Sequence, residues 1–134
     1  MKRRDPNSEV HSIAEVYEAG MRQIRERDIE RHLVKRVKAL GGEVRKVEWV
    51  GRRGAPDRLV MVPERVLGKR SKQMVDGTRE VWIAKRAPFS CWVELKAPGV
   101  KPEAYQLREH ERMRKMGQRV VVIDSIEGVE ELLS

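Results

Sequence analysis

The chain has 134 residues, room for one ordinary domain and not for two cores joined by a linker. Its 40% apolar and 37% charged residues are a globular balance, and an aromatic share of 4% calls for an aliphatic core. Lysine and arginine outnumber acids by 29 to 21, and this surplus of +8 favours a polyanionic partner; the single cysteine excludes an internal disulfide and a cysteine-cluster zinc site, and fits a reducing cytoplasm.

No apolar run approaches the roughly 20 residues of a membrane helix, and the basic start MKRRDPNSEV lacks the apolar stretch of a signal peptide. Residues 1–25 read as an extension, in which Ser8 precedes a short amphipathic helix with Val10, Ile13, Ala14 and Tyr17. Residues 26–134 read as the domain. A stronger helix runs from about Glu26 to Leu40, with Ile29, Leu33, Val37 and Leu40 as its stripe and Gly41-Gly42 as its stop. The period then falls to two over Val44 to Trp49, a strand with mixed faces. Gly51 to Arg58 is a turn and Leu59 to Val62 a short apolar strand ended by Pro63. Residues 64–88 form a polar hairpin or loop excursion, with strand potential at Val81 to Ile83. Phe89 to Leu95 is a strand; Pro102 opens a helix reaching about Met116; Val120 to Ile123 is a buried strand; Asp124-Ser125 cap a last helix carrying Ile126, Val129 and Leu132. A helix between the last two strands makes that pair parallel. The expected fold is α/β, a small mixed sheet flanked by helices.

Chemistry is expected at strand ends. Glu94 and Lys96 alternate with Leu95, so they share a face at the tail of one strand, while Asp57 heads another, 37 residues earlier. Two carboxylates brought together repel unless a cation sits between them. A hard divalent metal takes oxygen ligands, keeps several waters and can polarise a phosphodiester. Against this stands the plainer reading of Glu94-Leu95-Lys96 as an ion pair on a solvated edge. Glu30 stands with Leu33, Val34 and Val37 at helical spacing and borders the core stripe; Glu26, one turn earlier, is the alternative, and either reads equally as an exposed acid paired along the helix. His11, His32 and His110 have no zinc-hydrolase spacing, no GxxxxGK loop is present, and Cys91 reads as a small buried packing residue.

The ordered set of Glu30, Gly-Ala-Pro-Asp-Arg at 54–58, Glu-Leu-Lys-Ala-Pro-Gly at 94–99 and Gln106 resembles the VRR-NUC nucleases, a branch of the PD-(D/E)xK superfamily. The resemblance spans about Glu26 to Ile123 and implies a restriction-endonuclease-like αβββαβ core. It implies Asp57, Glu94, Glu30 and the Leu95 carbonyl as ligands of Mg2+ or Mn2+. Lys96 then orients or deprotonates the attacking water and Gln106 hydrogen-bonds beside the site. Stand-alone members of this size imply a phage or prophage protein of the bacterial cytoplasm, acting as a homodimer on branched DNA such as Holliday junctions. A flap or restriction-type cutter, or a non-catalytic DNA-binding module, are the alternatives. Arg52, Arg53 and Arg58 around Asp57 are expected at DNA phosphates. Arg65, Lys69, Arg70 and Lys72 read equally as DNA contacts or as a solvated loop; Trp82 and Trp92 read as core packing or a dimer interface ahead of base stacking.

Overall fold

The structure, a computed structural model, describes residues 24–134, so the expected helix at Val10 to Tyr17 lies outside the described residues. Ile29, Leu33 and Val37 are fully buried along α1 (Glu26–Ala39), as their three- and four-residue spacing requires. The chain reverses at Gly41, whose φ of 81° suits only glycine, and enters β1 (Glu43–Lys46). A loop leads to β2 (Arg58–Val62), then to β3 (Arg65–Met74) and β4 (Gly77–Arg86). β5 (Phe89–Leu95), α2 (Ala104–Lys115), β6 (Val120–Ile123) and α3 (Ile126–Leu133) complete the chain.

The main sheet has the order β1-β2-β5-β6. Its first two pairings are antiparallel and β5–β6 is parallel, with α2 as the crossover, as the helix between the two strands predicts. The α-β-β-β-α-β order is therefore α1, β1, β2, β5, α2, β6, with a separate two-stranded β3–β4 sheet inserted. The excursion at 64–88 is a hairpin of two ten-residue strands, longer than the Val81 to Ile83 segment expected. β1 is shorter than expected: it ends at Lys46, and Trp49 turns back so that its indole N–H donates to the Pro56 carbonyl at 2.9 Å.

Strand alternation divides the chemistry between two faces. Val60, Val62, Cys91, Val93, Leu95 and Ile123 meet the α1 stripe and Val129, Leu132 and Leu133 of α3 in one aliphatic core. Glu94 lies on the other face, where Gln106 and His110 of α2 meet it, and Trp92 shares that face by alternation. His32 and Arg36 both reach Glu130, which ties α1 to α3. Trp92 packs on Trp49 with ring centroids 5.0 Å apart, so it serves packing; the Trp82 side chain lies outside the described atoms. Burial pushes the Cys91 thiol up to about 11, which keeps it a protonated packing group at neutral pH.

Gly42 marks where α1 meets the sheet most closely. A Cβ there would stand 2.2 Å from the Met61 carbonyl oxygen and 2.9 Å from a Val37 methyl. Gly42→Ala is expected to cost about 1–3 kcal/mol by overpacking, read as a lower midpoint in urea with an unchanged slope; an unchanged midpoint would show that the helix can lift freely.

Candidate active site

The β2–β5 register pairs Arg58 with Val93. Carried one residue further, it sets Asp57 across from Glu94, near enough for its charge to bear on that carboxyl. Glu94 is only 8% exposed although it ends a strand. Burial raises its pKa first of all, the negative charges of Asp57 and Glu26 push the same way, and Lys96 opposes them. The Lys96 ammonium stands 3.6 Å from Glu94 Oε1, as their shared face predicts.

Gln106 completes this group. Its Oε1 accepts the Glu103 backbone N–H at 2.8 Å at the start of α2, so its Nε2 is left to donate to Glu94 Oε1 at 2.7 Å. The helix cap thereby sets the orientation of the amide, and the amide sets the carboxylate. The loop before Asp57 is fixed against the same helix turn. Gly54, at φ 86°, lets the backbone approach so closely that a Cβ would lie 3.0 Å from the Tyr105 carbonyl and 3.1 Å from Gln106 Cα. The Asp57 carbonyl also accepts from Val47 N–H at 2.8 Å.

The arginines expected at phosphates have partners inside the protein. Arg52 clamps buried Glu109 of α2 with contacts of 2.8 and 2.9 Å, and Arg52 with Arg112 holds that carboxyl below its usual range. The Arg53 guanidinium lies 4.0 Å from the centre of the Tyr105 ring. Arg58, with 12% of its side chain exposed, bonds Glu30 Oε1 at 2.8 Å and Asp57 at 3.0 Å. Arg58 therefore straps α1 to the loop through these two acids. Arg52 and Arg53 remain partly open at the loop surface.

Glu30 of α1 bonds Arg58 at 2.8 Å and is joined through it to Asp57. Glu26, at the first turn of α1, is the helix acid whose charge bears on Glu94. The structure thus brings together Asp57, Glu94, Lys96 and Gln106, with Glu30 reaching the group through Arg58. The Leu95 side chain is in the core, so its carbonyl is all it can offer.

Sequence reasoning passed over His110. It follows Gln106 by one helical turn, is completely buried, and has its Nε2 3.9 Å from Glu94 Oε2. Neither ring nitrogen has a hydrogen-bond partner among the described residues, and burial lowers its pKa, which keeps the imidazole neutral. The available signal was its spacing from Gln106 with Met113 beyond, which marks the sheet-facing side of α2.

Among the described residues no group of three or more His, Cys, Asp and Glu stands ready to hold a metal. What is present is an all-oxygen donor set of two opposed carboxylates and a main-chain carbonyl. Such a set suits a hard divalent cation that keeps most of its waters, and does not suit zinc.

The αβββαβ frame, with these acids and a lysine at the ends of adjacent strands, has counterparts among known proteins. A solved structure described as "VRR_NUC domain" has a TM-score of 0.57 and 36% identity, over 81% of this chain and 92% of its own. "Putative nuclease p44" of Acyrthosiphon pisum secondary endosymbiont phage 1 is 44% identical over 105 residues, 78% of this chain and 88% of that protein. Of the family models compared, none matches the chain. The chain belongs to the VRR-NUC nucleases.

Two measurements follow from this geometry. Because burial raises the pKa of folded Glu94, its ionisation costs stability as pH climbs from the ordinary carboxylate value through the raised one. In metal-free protein Glu94→Gln should therefore melt higher than wild type at neutral pH, with the gap closing below the ordinary carboxylate value of 4.5; a pH-independent gap would remove charge as the cause. Gln106→Leu should lower metal affinity or turnover about 10- to 100-fold with the fold retained, as for other groups that orient a metal ligand.

Proposed function

We propose that this nuclease is a Mg2+- or Mn2+-dependent endonuclease that hydrolyses DNA phosphodiester bonds. We propose further that it acts as a homodimer on branched DNA, the four-way junction above all. The observation that carries the reading is the opposition of Asp57 and buried Glu94. A binding module has no use for two carboxylates turned toward a polyanion, whereas a divalent cation between them converts the repulsion into attraction.

Asp57, Glu94 and the Leu95 carbonyl would hold the cation, with Glu26 the helix acid nearest in charge. Bound there, the ion would supply Lewis acidity toward a phosphate oxygen and lower the pKa of a water. Lys96 is the general base or water-orienting group and offsets negative charge that grows at phosphorus in the transition state. Gln106 keeps Glu94 aimed. Arg58 holds Asp57 from the opposite side while Glu30 holds Arg58, so these two act on position. Paired cuts across a junction require two sites related by a twofold axis, and a protomer of this size presents one.

The test is a gel assay with four-way junction, flap, duplex and single strand, with and without Mg2+. Asp57→Asn and Lys96→Met should each reduce cleavage by at least about a hundredfold while junction binding persists. Glu26→Gln should impair cleavage more than Glu30→Gln. Cleavage by Asp57→Asn at the wild-type rate would end this assignment.

A further inference from the structure

The β3–β4 hairpin is used by nothing above. Between Arg65 and Arg86 it carries seven basic residues against two acidic ones, a surplus of five of the chain's eight. It leaves the sheet between the end of β2 and the start of β5, at the end away from Glu94. Its root is anchored where Arg65 reaches the Leu133 carbonyl and the Phe89 ring; beyond that, among the described residues, its contacts lie almost wholly within itself.

The register separates its charges. Arg70 pairs with Val81 and Lys72 with Arg79, so Arg70, Lys72 and Arg79 share one face. All three are exposed. Arg79 meets Asp76 of the turn at 2.8 Å, and no acid stands in register on that face. The other face is internally balanced: Lys69 stands 3.8 Å from Glu80, and Thr78 donates to Gln73 at 2.9 Å. A solvated hairpin would have no reason to sort its charges in this way. Arg70 and Lys72 stand about 6.8 Å apart along the strand, the axial rise of two base pairs. A second copy of a chain this basic is a poor occupant for such a face.

We propose that the Arg70–Lys72–Arg79 face of the hairpin is a backbone contact for duplex DNA, separate from the cleavage site. Five residue steps along β5 separate Phe89 from Glu94, about 17 Å. The contacted segment therefore lies at least about five base pairs from the cleaved bond. This rests on DNA being the substrate. The contact holds an arm of the substrate by charge alone and carries no sequence preference.

Arg70→Ala/Lys72→Ala/Arg79→Ala tests the proposal against a matched control with the same charge change on the outer face of α1, Arg31→Ala/Lys35→Ala/Lys38→Ala. Binding of a junction with long arms is measured in EDTA across a salt series, and cleavage at saturating DNA with Mg2+. The hairpin variant should bind about tenfold or more weakly, with its salt slope reduced by about 2–3, one phosphate contact per cation. Its turnover at saturation should stay within about twofold of wild type, and its binding defect should vanish on arms trimmed to fewer than about five base pairs. An unchanged slope, an equal defect in the α1 control, or a change of oligomeric state in place of a binding defect would each overturn it. Failure of wild type to bind or cut any DNA would instead bring down the reading beneath it.

Discussion

Two carboxylates stand face to face where β2 begins and β5 ends. Neighbouring strands favour opposite charges or apolar pairs at such positions, and like charges there weaken the sheet. Here the opposition is held from every side. Lys96 shares the face of Glu94, Gln106 donates to it, and Arg58 leans on Asp57 from the far side of the strand. The loop leading to Asp57 is fastened to α2 by Arg52 on Glu109 and by the close approach at Gly54. Local repulsion is tolerated because Lys96 and Arg58 offset the charge and Asp57 keeps one side open to water.

The two faces of the sheet divide the work. The α1 and α3 side is an aliphatic core whose members are nearly all branched, and it supplies the cohesion. The α2 side carries the polar groups at some expense, visible in the unpartnered nitrogens of His110. A helix bearing Gln106, Glu109 and His110 on its inner side would be a poor choice for stability alone. It is explained by what it holds in place.

Much of this was legible in residue order. The stripe of α1, the apolar runs of β2, β5 and β6 and the helix between the last two define the frame, because periodicity reports burial directly. Asp57, Glu94 and Lys96 were legible because alternation places residues at strand ends by face. What escaped depended on partners distant in sequence. Helical spacing shows that Glu30 borders a stripe, but not that Arg58 lies on the face it borders. Charge marked Arg52 and Arg58 as cations beside an acid, but not that Glu109 and Glu30 would claim them. The β3–β4 strands were obscured because a hairpin that among the described residues packs on little besides itself shows no apolar period.

Glu94, Lys96 and Gln106 fall within thirteen consecutive residues on one strand, one turn and the next helix, whereas Asp57 comes from a strand laid down much earlier. A folding intermediate could assemble the later trio by short-range contacts, yet it would own a lone acid with no counterpart. Only the pairing of β2 with β5 brings Asp57 beside it. Assembly of the four-residue group therefore waits on the tertiary structure.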